Sequence, residues 1–407
     1  MPALRLGDLL DGDAQLATAE FALVAAATRW PLDAAASNRI RAIAATVTDW
    51  PRVAMIVDRH RVAGLFAAGI GALCPDAGTQ ATIHGLARDS AVQELRSVFE
   101  TLRLVRVLDA AGIPVRVLKG ASGAILAFGR FGLRYSMDID LLVGRSSVVH
   151  AARLLDAQGY VRVEPPADAG AAMLRARMAR YKDIAFEHPD TGILVELHWR
   201  LFQNPYLLRG ADLDRHAQMQ LVPGASVSVL PRDQAILYMF AHGTEHGWAR
   251  LKWLADIGAI FASEPADSVD LFYAGVRDRN VERLVAPGLI LSHALYGTPL
   301  PDAVRTDMAK DWRMRALLRT AYASLVGEED GRELEHLPHA TTRKNLSHYL
   351  ISRDPRFLLH ELRYDLLDRT ADDAAGTSRL TRVARRLWGL TTMQGAATRG
   401  NRGAASS

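Results

Sequence analysis

Cys74 is the only cysteine in 407 residues. An intramolecular disulfide and a cysteine-rich zinc site are therefore excluded. Long apolar runs are missing too. The longest, such as Phe21–Ala27 and Ile257–Ala262, fall well short of the roughly 20 residues needed to span a bilayer. The amino terminus carries Asp8, Asp11 and Asp13 instead of a basic leader, so no secretory signal is expected and the cytoplasm is the expected compartment. Nor is there a strong excess of one charge: the formal net charge of +4 does not by itself indicate a nucleic-acid partner. Lysine is scarce, with Lys119, Lys182, Lys252, Lys310 and Lys344 against 49 basic residues in all. Coding bias accounts for most of that scarcity. Lys119 and Lys252 nevertheless stand inside the two densest motifs of the chain.

What is present is ordinary for a soluble protein with sizeable cores: 49% hydrophobic and 23% charged residues. The length predicts two or three domains. Residues 1–95 read as a helical region, with apolar residues at three- and four-residue spacing such as Ile40, Ile43, Ala44 and Val47. Trp50-Pro51 marks a break, and the pattern of Val53, Ile56, Val57 and His60-Arg61-Val62 predicts one helix continuing to Gly69–Gly71. A helix over Asp89–Ala111 is predicted to end at Gly112.

Strand signals then take over. Ile113–Leu118, Met137–Val143 and Tyr160–Val163 read as strands, while 181–187 and 192–198 read as an antiparallel pair turning at His188–Gly192. Helices are expected at Gly120–Phe128 and Ser146–Gly159. The resulting β-α-β-α-β-β order predicts an α+β fold: a small mixed sheet over 96–205, flanked by helical regions at 1–95 and 206–375. Residues 376–407 hold six arginines and no acid, which predicts a basic, partly disordered tail. Within it, Arg379–Trp388 alternates as an amphipathic helix whose commonest use is docking on the protein surface.

The strongest chemical signal is Lys119-Gly120-Ala121-Ser122 followed by Arg134 and Asp138-Ile139-Asp140-Leu141-Leu142-Val143. On a strand, Asp138 and Asp140 project to one face while Ile139 and Leu141 face a core. Two adjacent acids repel each other and lose solvation when buried, and a divalent cation between them relieves both penalties. Glu196, in Leu194-Val195-Glu196-Leu197-His198-Trp199, offers a third carboxylate from a neighbouring strand. His198 reads as an ordinary strand residue or a group behind the ligands. A second cluster spans residues 242–256, where helical counting places His242, Glu245, His246, Ala249, Lys252, Trp253 and Asp256 near one face. The two histidines have metal-ligand spacing but no third ligand in pattern. Asp256 has Lys252 as a natural i,i+4 partner.

Taken together, these motifs resemble the polymerase-β-like nucleotidyltransferases. More closely, Lys119-Gly120, Arg134 with Asp138–Val143, Glu196–Trp199 and His246–Ile257 are similar to a bacterial family of uncharacterised nucleotidyltransferases, as are Asp49-Trp50 and Arg59–Val62. The similarity runs from about residue 35 to 365. Gly120-Ala121 departs from the usual Gly-Gly or Gly-Ser, so Ser122 is the serine left to touch phosphate. The interval from Gly120 to Asp138, 138 − 120 = 18 residues, is longer than in compact members.

The resemblance implies transfer of a nucleotidyl group from a nucleoside triphosphate to an acceptor hydroxyl. Asp138, Asp140 and Glu196 would hold two Mg²⁺ ions, or Mn²⁺ in their place. Lys119, Gly120, Ser122, Arg134 and Lys252 would contact phosphates, and Trp253 or Trp248 would stack on the base. Small molecule, peptide and RNA remain open as acceptors. A toxin-like tRNA nucleotidyltransferase and a non-catalytic binding protein retaining the fold are the competing readings. The intact acid pair speaks against the last.

Overall fold

The computed structural model describes residues 18–163, 170–208, 215–265, 267–327 and 346–365. The basic tail and its amphipathic segment lie outside them. Residues 204–207 and 352–365 belong to a small unit of their own, in which the Asn204 side-chain amide donates to Phe357 O and Glu361 Oε1 of the helix Pro355–Arg363. The remaining described residues form the main unit.

A seven-stranded mixed sheet organises that unit: β1 (Val115–Val117), β2 (Asp138–Val143), β3 (Val161–Arg162), β4 (Asp183–Glu187), β5 (Leu194–His198), β6 (Ala217–Val222) and β7 (Ala225–Val229). Their spatial order is β3-β4-β5-β2-β1-β7-β6. The 181–198 hairpin expected from sequence is the antiparallel pair β4–β5. The last two strands were not foreseen. They alternate polar and apolar residues, are joined at Gly224 with a φ of 78°, and extend the sheet through a parallel contact of Val117 with Val229. The mixed sheet and its many helices make the fold α+β.

β2 lies at the centre, antiparallel to β1 and parallel to β5. Ile139, Leu141 and Val143 enter one core with Val195 and Leu197 of β5, Ile184 and Phe186 of β4, and Val98 and Leu108 of the helix Ala77–Ala110. Strand alternation then leaves Asp138 and Asp140 on the opposite face. Parallel register sets Asp140 beside Glu196 and Leu142 beside His198.

Helices before and after the sheet pack on one another. Thr28 Oγ1 meets the Tyr296 hydroxyl at 3.1 Å, Arg29 Nη1 donates to Tyr296 O at 2.7 Å, and Arg59 Nη2 donates to Ser324 O at 2.9 Å. None of the described helices is long and apolar enough to cross a membrane.

Two segments expected as continuous helices are broken, both at left-handed residues. The first breaks at Arg61, with a φ of 54°, which separates Trp50–Arg59 from Ala63–Ile70. The second breaks at Gly247 and Trp248, with φ of 59° and 51°, between Arg232–Glu245 and Leu251–Ala262. Here packing overrides propensity. The turn sends the Trp248 indole inward, 1% exposed, with Nε1 donating to Thr244 Oγ1 at 3.1 Å. The indole fills the space that Cβ atoms would take at Gly243 and Gly288. Trp248 is thus core, not a platform for a base.

A Cβ at Gly243 would lie 2.6 Å from the Trp248 ring. Gly243→Ala is expected to destabilise the protein by about 1–3 kcal/mol through overpacking, despite alanine's better helix propensity. Urea unfolding checks this, and an unchanged or higher midpoint contradicts it.

Candidate active site

The turn between β1 and the helix Ala121–Phe128 shapes one wall of the site. Gly120 has a φ of 66°, and a Cβ there would meet Ser136 Oγ at 3.1 Å and Asp138 O at 3.3 Å. Only glycine lets the turn lie so close to the start of β2. Lys119, just before it, reaches over the acid pair: its Nζ is 2.9 Å from Asp138 Oδ2 and 3.1 Å from Asp140 Oδ1. Ser122 is buried, and its hydroxyl donates back to Lys119 O at 3.3 Å.

The other wall comes from β5 and β4. His198 Nε2 stands 3.1 Å from both Asp140 Oδ1 and Glu196 Oε2. Lys182 Nζ is 3.1 Å from Asp183 Oδ2 and 3.9 Å from Glu196 Oε2. Ligand atoms of Asp140, Glu196 and His198 fall within 4.8 Å of one another, so these three groups can hold a metal ion. Asp138 sits beside them, held by Lys119.

Of the two readings that the sequence left for His198, its bonds to Asp140 and Glu196 favour the group behind the ligands; Lys182 was not singled out. The signal for His198 was its parity with Glu196 on a strand paired to the acid-bearing one. Lys182 offered no comparable signal.

Charge balance explains how such a cluster survives burial. Burial raises the Asp138 carboxyl, but Lys119 outweighs it and leaves the group at about 2. Asp140 is raised by burial despite Lys119. Burial also opposes ionisation of Glu196, yet the His198 hydrogen bond and the two lysines take it well below the usual range. Burial and Lys182 disfavour charge on His198, but its bonds to Asp140 and Glu196 prevail and raise it.

Even so, the carboxylates of Asp138, Asp140, Asp183 and Glu196 outnumber the two ammonium groups beside them. Asp140 Oδ2 is buried without a hydrogen-bond partner. A divalent cation fits both observations, and the oxygen-rich donor set suits Mg²⁺ or Mn²⁺.

Across from the turn, the helix Leu251–Ala262 lines a narrow cleft with Lys119, Arg134, Tyr238, Met239, His242, Trp253 and Asp256 at its walls. Asp256 pairs with Arg134, whose Nε lies 3.0 Å from Oδ2, not with Lys252. Lys252 and Asp256 lie on one unbroken helix, but Asp256 meets Arg134 of the loop before β2 while Lys252 stands over the Tyr135 ring. Arg134, expected on phosphate, has its Nε committed to this buried ion pair.

Trp253 is 9% exposed, edge-on to His242 and tilted against His246. Lys252 stands over the Tyr135 and Trp253 rings. Burial, then Arg134 and Arg61, push its ammonium well below the ordinary lysine range. A residue the sequence did not single out, Glu94, accepts a hydrogen bond from the Gly132 amide of the same loop. Burial carries its carboxyl up to about 7, against the Gly132 bond and Arg134.

The site is that of an α+β protein with an acid cluster on a central strand that can hold a metal ion, and a narrow cleft beside it. Over residues 46–297 the sequence matches the model of the uncharacterised nucleotidyltransferase family, and the chain belongs to that family. No curated protein matches it.

Two acids should shift stability with pH in opposite directions. Asp138, depressed from 3.8 to about 2, stabilises the fold above pH 3.8, and that contribution fades as pH falls toward 2. Its size is roughly 2 kcal/mol, so Asp138→Asn should cost stability at pH 6 and much less near pH 2. Glu94, raised from 4.5 to about 7, contributes fully below pH 4.5 and loses that contribution as pH rises through 7. Glu94→Gln should therefore flatten the fall in unfolding midpoint between pH 5 and 7. Parallel profiles for variant and wild type would refute either assignment.

Proposed function

We propose that the protein is a metal-dependent nucleotidyltransferase of the polymerase-β-like superfamily, passing a nucleotidyl group from a nucleoside triphosphate to an acceptor hydroxyl. The acceptor oxygen attacks the α-phosphorus, the bond from that phosphorus to the bridging oxygen breaks, and pyrophosphate leaves. One carboxylate of the cluster takes the acceptor's proton.

The observation that carries this reading is the meeting of Asp140, Glu196 and His198 within 4.8 Å, with one Asp140 oxygen buried and unpartnered. Family membership supports the reaction class and a nucleoside triphosphate as substrate. Asp138, Asp140 and Glu196 would hold Mg²⁺, which when bound neutralises phosphate charge and favours an ionised acceptor. His198 Nε2, bonded to both Asp140 and Glu196, holds those carboxylates in place.

Lys119 and the amides after Gly120 face the triphosphate at the start of Ala121–Phe128. Ser122 lies in the first turn of that helix. Arg134 fixes the loop before β2 through Asp256 and so positions Asp138 rather than gripping phosphate. Trp253 would border the base, its ring held by His242 and His246.

Purified protein incubated with each α-labelled triphosphate, Mg²⁺ or Mn²⁺ and cell extract should place label in one fraction among RNA, protein and small molecules. Asp140→Asn should lower transfer by roughly two or more orders of magnitude while the protein stays folded. Label in no fraction with either metal, or undiminished transfer by the variant, sinks the proposal. Loss of folding together with transfer would recast Asp140 as structural.

A further inference from the structure

Arg61 interrupts a helical pattern with a backbone conformation that non-glycine residues rarely adopt, at a φ of 54°. The surroundings enforce it. His60 is buried, and its Nδ1 accepts the Leu251 amide at 3.0 Å. Arg250 donates to Arg59 O, and Arg59 reaches Ser324 O. Just beyond, Gly64 lies so near the loop before β2 that a Cβ would meet Gly132 O at 2.5 Å. The turn at 59–62 is therefore bolted both to the start of Leu251–Ala262 and to the active-site loop. Maintained strain of this kind is commonest where it aims a side chain.

What it aims is the Arg61 guanidinium, with Cζ 5.3 Å from the centre of the Tyr135 ring. Lys252 Nζ, one residue beyond the clamped Leu251, stands 5.7 Å from the same ring. Tyr135 lies three residues before Asp138. Among the described residues, neither Arg61 nor Lys252 has a carboxylate within ion-pair distance, and the nearby Arg134 is already taken by Asp256. Two basic groups gathered on one ring without an anion form a place that an anion completes.

We propose that Arg61, with Lys252, seats the terminal phosphates of the nucleoside triphosphate, and that Tyr135 holds both side chains in position. This rests on the nucleotidyl-transfer reading and adds a phosphate-binding residue from the amino-terminal helices. Those helices thereby become part of the substrate site. Arg61 stabilises the negative charge of the departing pyrophosphate and takes no part in proton transfer.

The test uses the full chain and inorganic tripolyphosphate as probe, followed by calorimetry. Arg61→Asn removes the charge and tolerates the left-handed backbone, so it should fold. Arg61→Lys keeps the charge. The wild type should bind tripolyphosphate, Arg61→Asn should bind it at least about tenfold more weakly, and Arg61→Lys should lie between. Asp140→Asn, impaired in transfer, should retain the binding.

In the transfer assay Arg61→Asn should raise KM for the triphosphate by a similar factor. Equal tripolyphosphate binding by Arg61→Asn, or none by the wild type, overturns the seat even if transfer is observed. Weakened binding in Arg61→Asn alongside a wild type that transfers nothing would leave the phosphate seat standing and overturn the reaction instead.

Discussion

Asp140 is the constraint around which the rest of the molecule is arranged. A carboxylate on the central strand of a sheet, with no exposed surface, is an expensive group to bury alone. It is kept by contacts from two directions, Lys119 from the glycine turn and His198 from the neighbouring parallel strand, against the repulsion of Asp138, which shares the same lysine. The Gly120 turn must approach β2 for Lys119 to reach. β5 must run parallel to β2 and in its present register for Glu196 and His198 to face the same side. A one-residue slip would send both to the opposite face. The apolar side of the same strands, packed under the helix Ala77–Ala110, holds that register.

Around this centre the helices act through their interruptions. At Arg61 and at Gly247–Trp248 the chain gives up helical hydrogen bonds, and bonds between the two breaks, from Leu251 N to His60 Nδ1 and from Arg250 Nη1 to Arg59 O, replace them. The two breaks face each other through His60 and Leu251, which joins segments about 190 residues apart and places Lys252 beside Tyr135. The Arg134–Asp256 pair ties the same helix to the loop before β2. Cleft walls built this way belong to several parts of the sequence at once. Each side chain's position depends on a partner far along the chain.

This arrangement explains which features were legible in the sequence. Strand parity is a local rule, so Asp138 and Asp140 on one face and the β4–β5 hairpin could be read directly. Glu196 could be placed near them only because the hairpin was visible. His198 followed from the same parity yet kept two readings, since a strand histidine carries no signal until its neighbour across the sheet is known. The partner of Asp256 was misassigned because i,i+4 counting sees only its own helix, whereas Arg134 comes from the loop before β2, 122 residues earlier. Nothing within residues 242–256 reveals that the Trp248 indole requires space beside Gly288, 40 residues later. Glu94 was invisible for the same reason: its significance comes from the amide of Gly132. β6 and β7 escaped notice although Gln218-Met219-Gln220-Leu221 and Ser226-Val227-Ser228-Val229 alternate, because all of 206–375 was read as one helical region.

The packing of Trp248 carries a consequence for how this sequence can vary. Gly243 and Gly288 are both filled by one indole, so the three positions hold a single volume between them. A larger residue at either glycine becomes tolerable only when the side chain at 248 shrinks, and a smaller residue at 248 leaves a void that both glycines were keeping free. Substitutions here are therefore non-additive. Among diverging copies of this chain the three sites should change as a set, with the order of changes constrained. Whichever glycine is altered first creates a clash, whereas shrinking the indole first creates only a cavity for the next change to fill.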